Sequence, residues 1–171
     1  GDFSSDTFHA VRDRFAEVYA GAPGASDLIG TGMRELETRI GENPNPAQNY
    51  ANIVSFGEYL EHQLFAHYLT QRGESARSVD PADCFRLTGN PRNAEYHREA
   101  SDRLIRETIF DDFPGIMVVG GFYGKDSEGN ILVFSRGGSD YSQTLLARAG
   151  HADNCYNYTD VDGVMPINPR L

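Results

Sequence analysis

A chain of 171 residues with a formal charge of −10 suits one globular domain, and the charge excludes nucleic acid or an anionic membrane as its partner. No apolar run reaches the ~20 residues of a membrane helix, and 39% apolar with 11% aromatic residues is an ordinary core-forming composition. Cys84 and Cys155 stand alone, so neither a metal spacing nor a disulfide framework is expected, and a reducing cytoplasm fits.

In chain order, Phe8, Val11, Phe15 and Val18 keep one face of a first helix that Ser4, Ser5 or Asp6 caps. Gly21 to Gly24 breaks it. Ile29, Met33, Leu36 and Ile40 define a second helix, ended by Gly41 and the Asn-Pro-Asn-Pro turn at 43–46. A longer helix runs from Ala47 to about Tyr68, with a short strand after it at Ala76–Val79. The spacing predicts another helix over about 94–110. Ile116 to Val119 is a continuous apolar run, the pattern of a strand covered on both faces, and Ile131 to Phe134 is its expected hairpin partner. Ser139 to Ala149 reads as helix, with Tyr141, Leu145 and Ala149 on one face, and Cys155 to Thr159 as the next strand. The alternation implies an α/β fold, a largely parallel sheet flanked by helices. Residues 1–110 form its mostly helical part and 111–171 its strand-and-turn part, with no interior domain boundary.

Two polar, glycine-bearing turns follow apolar β-rich stretches: Arg136-Gly137-Gly138-Ser139-Asp140 and Thr159-Asp160-Val161-Asp162-Gly163. A strand that ends in Gly-Gly and opens a helix gathers bare N–H groups where the helix dipole favours an anion. Arg136 adds a planar bidentate donor. Turns at the carboxyl ends of strands mark the usual ligand crevice of an open α/β sheet, which points to an enzyme acting on anionic substrates. Taken alone, the first run could be only a tight turn with Ser139 as N-cap and Asp140 complementing the dipole. Glu58 alone could be a surface glutamate. Gly57 before it is unfavourable by ~1 kcal/mol in a helix interior, which suggests close packing against that helix. The five histidines read as surface or half-buried residues, and Asp102 as part of a solvated helix face.

The two turns, with Ser55-Phe56-Gly57-Glu58-Tyr59-Leu60, Gly121-Phe122-Tyr123-Gly124 closed by Gly129, and Asn168-Pro169-Arg170, resemble the aspartate kinases of the amino-acid kinase superfamily. The resemblance covers roughly residues 50 to 171. It implies the three-layer α/β amino-acid kinase fold, incomplete at both ends, and transfer of the γ-phosphoryl of ATP, with magnesium held chiefly by the phosphates, to the side-chain carboxylate of L-aspartate. The product is 4-phospho-L-aspartate, on the way to lysine, threonine and methionine.

By the same resemblance Glu58 takes the substrate ammonium, while Arg136 holds a carboxylate with support from Gly137, Gly138 and Ser139. Asp140 sits beside the attacking carboxylate. Thr159, Asp160 and Met165 line the nucleotide site, and Arg170 reaches the phosphates. Met165 stands where the family often has tyrosine, and Asn168 where it has aspartate. The first departure removes an aromatic or hydroxyl contact and the second a charge. Members of the family open with a Lys-x-Gly-Gly-Thr/Ser loop that this sequence lacks. Its single lysine, Lys125, falls at an expected hairpin tip. An interior piece of a longer, homo-oligomeric protein is therefore expected, inactive as 171 residues alone. A non-catalytic aspartate-binding or regulatory homologue is the alternative, and another amino-acid kinase a third.

Overall fold

The computed structural model describes residues 5–42, 45–110, 113–135 and 137–158. Helices α1 (Ser5–Val18) and α2 (Ala25–Glu42) pack through Phe8, Val11, Phe15, Ile29, Met33 and Leu36, the stripes that the 3.6-residue period marks. Val18 points outward at 55% exposure, and Tyr19 is buried instead. Both stripes close on Phe56, Leu60 and Leu64 of α3 (Pro46–Gln71). Asn45 starts α3 by accepting from the Ala47 N–H at 3.0 Å, with Pro46 at the first helical position.

The other side of α3 packs on strands, so this helix buries residues on more than one face, among them the polar Gln48, Ser55 and His62. Strand β1 (Ala76–Val79) pairs in parallel with β4 (Ile116–Val119), Ala76 opposite Ile116 and Val79 opposite Val119. Val79, Met117 and Val119 face a core completed by Ile105 of α5 (Arg98–Thr108) and by Leu145 and Ala149 of α6 (Gly138–Ala149). Helix, sheet and helix thus stack in the α/β arrangement. Between these elements lie α4 (Pro81–Cys84) and the hairpin of β2 (Leu87–Asn90) and β3 (Asn93–Tyr96). A second hairpin joins β5 (Tyr123–Lys125) to β6 (Ile131–Val133). No helix among the described residues is long and apolar enough to cross a membrane.

Several local expectations are corrected. Residues 131–133 pair with β5, not with 116–119. Gly120, Gly121 and Phe122, the last at φ 53°, turn the chain out of β4, so a new strand begins at Tyr123. The strands pair as three two-stranded sheets, β1–β4 parallel and both hairpins antiparallel. The helix expected from 94 starts at Arg98, capped by His97. The Asn90-Pro91 turn, tied by the Val133 N–H donating to Pro91 O at 2.9 Å, draws 93–96 into extended pairing. Residues 155–158 form no strand. They have no ladder partner, and Tyr158 is 93% exposed.

Asp102 is not part of a solvated face. It accepts from both Arg148 Nη1 and Nη2, at 2.8 and 2.6 Å, and from the Tyr96 hydroxyl at 2.6 Å, which ties β3, α5 and α6 together. Lys125 is paired with Asp83 at 3.0 Å, and Cys84 is fully buried, its thiol pushed up to about 12 by burial and by Asp80 and Asp83.

Candidate functional site

The site begins on α3, where Glu58 and His62 stand one turn apart on the face toward the carboxyl end of β4. The Gly121 N–H donates to Glu58 Oε1 at 2.7 Å. A Cβ on Gly120 would lie 3.0–3.1 Å from Pro81 Cγ, Glu58 Cγ and His62 Cδ2, so any other residue there would push these side chains aside by a few tenths of an ångström. Across the chain, a Cβ on Gly121 would come within 3.2–3.3 Å of Cα, Cβ and Oγ of Ser139. The Gly120–Gly121 turn therefore lies between Glu58 and the first turn of α6.

That first turn is built without a side-chain cap. Gly137, at φ 86°, is the N-cap residue, and no side chain bonds the N–H groups there. Ser139 is thus not the cap, and the donors at the head of α6 remain available to an anion. Gly138 must lack a side chain, since a Cβ would meet Phe122 Cβ at 2.7 Å and Phe134 Cβ at 2.9 Å. Ser142 locks the turn: its Oγ accepts from the Phe122 N–H at 2.9 Å and donates to Gly138 O at 2.8 Å.

Two cavities meet at Ser139. One, of about 400 Å³, is lined by Glu58, Gly120, Gly121, Ser139, Met117 and Asn154 among others. The other, of about 430 Å³, is lined by Gly137, Gly138, Ser139, Asp140, Phe122 and Arg92 among others. Glu58, Gly137, Gly138, Ser139 and Asp140 are thus brought together at one end of the fold. Asp140 is exposed, and Asn157 Nδ2 donates to its Oδ1 at 3.3 Å. Arg136, Thr159, Asp160, Met165, Asn168 and Arg170 lie outside the described residues. The glycine argument for Glu58 is corrected, because nothing lies within 4 Å of a Cβ on Gly57. The close approaches are at Gly120 and Gly121.

Sequence reasoning missed Arg92 and the burial of His62. The relevant spacing was that between Glu58 and His62, since positions i and i+4 share a helix face. His62 is 3% exposed, and neither ring nitrogen has a hydrogen-bond partner. Burial lowers its pKa below the ordinary 6.5, opposed by the charge of Asp80. The fold therefore refuses a proton that the unfolded chain accepts, and stability falls as the pH drops below about 6.5. Melting temperatures at pH 7.5 and 5.5 should differ less in His62→Leu than in the wild type; an unchanged difference removes His62 as its source.

The profile of the amino acid kinase family matches residues 9–171. The chain belongs to the amino acid kinase family. Within that family it is 35% identical over 164 residues to aspartokinase 3 of Bacillus subtilis (strain 168), covering 95% of this chain and 36% of that relative. It is 39% identical over 119 residues to aspartate kinase of Pseudomonas fluorescens (strain SBW25), covering 70% and 28%. The chain thus spans about a third of the length of the curated relatives it matches. Among solved structures, E. coli aspartokinase III in complex with aspartate and ADP superposes with a TM-score of 0.75 at 23% identity, over 86% of this chain and 34% of that one. Clostridium acetobutylicum aspartate kinase gives 0.75 at 24%, over 98% and 35%. At these identities the two structures establish the fold, that of the aspartokinases.

Proposed function

We propose that this chain is the acceptor-side part of an aspartate kinase, which transfers the γ-phosphoryl group of ATP to the side-chain carboxylate of L-aspartate. One observation carries the reading: Glu58 and Ser139 approach each other across Gly120–Gly121, with the Glu58 carboxylate oriented by the Gly121 N–H. A fixed carboxylate takes an α-ammonium, while the uncapped head of α6, with Arg136, takes a carboxylate. The aspartate side chain attacks phosphorus through an oxygen that is already anionic, so no general base is needed. The new O–P bond forms as the bond from the γ-phosphorus to the bridging oxygen breaks, giving 4-phospho-L-aspartate and ADP. Catalysis is then mostly positioning and charge neutralisation.

Asp140 stands next to that acceptor, and Thr159, Asp160, Met165 and Arg170 are assigned to the nucleotide. Lys125, paired with Asp83, is not assigned to the phosphates. Among the described residues no group of three or more His, Cys, Asp or Glu side chains could hold a metal ion. Magnesium accompanying ATP would take its oxygens chiefly from the phosphates.

The test is ADP formation by the full-length gene product, with the acyl phosphate trapped by hydroxylamine. Turnover is expected with aspartate and absent with asparagine, which lacks the accepting carboxylate. Aspartate binding without turnover would instead identify a non-catalytic homologue.

A further inference from the structure

The larger cavity contains a cation to which the preceding reading gives no task. Arg92 sits at the turn of the β2–β3 hairpin, where Asn90 Oδ1 accepts from its backbone N–H at 2.9 Å. The hairpin is anchored to β6 by Pro91 O, which accepts from the Val133 N–H at 2.9 Å. The guanidinium lies over the Tyr50 ring, 4.5 Å from its centroid, and Nη2 donates to Pro46 O at 3.4 Å. Both partners are at the start of α3, so the fork is held against that one helix and has no carboxylate partner among the described residues. Tyr50 and Arg92 line the same cavity as Gly137, Gly138, Ser139 and Asp140, and Arg92 is the only basic side chain among the described residues lining the two cavities that meet at Ser139.

A guanidinium stacked on an aromatic face keeps its edge donors free for an oxyanion. On a chain of charge −10, an unpaired arginine facing a cavity marks where negative charge is wanted. Among the described residues, the other charged group lining that cavity is Asp140. Among the described residues there one guanidinium faces one carboxylate, and the Asp140 carboxylate repels a polyphosphate more strongly than a single substrate carboxylate. We propose that Arg92, supported by Tyr50, is a substrate-binding residue that receives a carboxylate of the acceptor amino acid and so selects a dicarboxylate. This rests on the aspartate kinase reading given above.

The experiment is steady-state kinetics of the full-length gene product as wild type, Arg92→Ala, Arg92→Lys and Tyr50→Leu, with circular dichroism melts to establish folding. In Arg92→Ala the aspartate KM should rise about 10- to 100-fold, the scale of one charge-assisted pair, with kcat and the ATP KM nearly unchanged. Arg92→Lys should recover part of the loss, and Tyr50→Leu should show a smaller rise in the same constant. A rise confined to the ATP KM would place a phosphate on Arg92 and overturn the carboxylate assignment, and no change in either KM would overturn the site. Calorimetric titration with succinate separates this inference from the reading beneath it. Succinate binding by the wild type that weakens in Arg92→Ala supports the anchor even if no aspartate-dependent turnover is found, which would defeat only the kinase reading. Equal binding by both proteins, or none by the wild type, overturns the anchor.

Discussion

On the proposed aspartate kinase reading, replacing Glu58 with glutamine is expected to lower kcat/KM for aspartate by about two to three orders of magnitude, with the protein still folded. The side chain has two tasks. Oε1 accepts the Gly121 N–H at 2.7 Å, which glutamine reproduces through its amide oxygen. The second task, proposed for it above, is to hold the substrate ammonium in a partly enclosed cavity; that needs the charge, and an uncompensated substrate cation there costs several kcal/mol. Glu58→Ala removes both functions and adds a loosened Gly120–Gly121 turn, so it should also lower the melting temperature. Kinetics and melts on the two variants separate these roles. Wild-type aspartate dependence in Glu58→Gln would remove Glu58 from the substrate site, however well it orients Gly121.

The largest stability effect is expected away from the site, at Asp102. Its side chain is 14% exposed, against 36% for Arg148, and three hydrogen bonds converge on it. Asp102→Ala strands a guanidinium and a phenol at the junction of β3, α5 and α6. With Arg148 still partly hydrated, the loss should be about 2–3 kcal/mol, below the 3–5 kcal/mol of a fully buried pair. For a domain of this size that is roughly a 5–10 °C drop in Tm. The hydrogen bonds from Arg148 hold the Asp102 carboxyl below the usual range, against the opposing effect of burial. The stabilisation is therefore complete above the ordinary carboxylate pKa and disappears as the pH falls through the lowered one. Denaturant titrations at pH 7 and in acid should show the variant's deficit shrinking in acid, and an equal deficit at both would refute the ionic origin. Because Asp102 touches neither cavity, substrate constants of the folded variant should not move.

Much of the site was legible because its parts are local. The run from Ile131 to Ala149 describes a strand, a glycine turn and a helix in its own residues, and the structure forms them as β6, Gly137–Gly138 and α6. The steric need for glycine at 138 comes from Phe122 and Phe134, but glycine next to glycine already marks a turn. Glu58 was singled out by its motif, and the physical argument offered for it failed. Gly57 faces open space, and the glycines that matter, Gly120 and Gly121, come more than sixty residues later in the sequence.

Asp102 and His62 were misjudged for one reason. Whether a polar side chain on a helix is solvated depends on what packs over it: Arg148 and Tyr96 in one case, Tyr59 and Gly120 in the other. Strand pairing was undetermined for a related reason. An apolar run of four residues reports that a strand is buried, not which neighbour buries it, and the nearest run in sequence was a reasonable partner for Ile116–Val119. The pairing with Ala76–Val79 was decided by where α3 and α5 leave the chain and by the turn at Gly120–Phe122.

The sequence by itself determined the helical faces, the strand-turn-helix unit after Ile131, the anion-attracting head of α6 and, through its resemblance to the aspartate kinases, membership of the amino acid kinase family. These depend on the 3.6-residue period, on side-chain-free turns and on residue chemistry, all properties of neighbours along the chain. Only the tertiary structure decided that β1 and β4 form the parallel pair, that Glu58 reaches Ser139 through a glycine turn, that His62 is dry and that Arg92 faces the cavity. Each of these unites segments from different elements, and the packing of those elements, not local backbone preference, sets their distance.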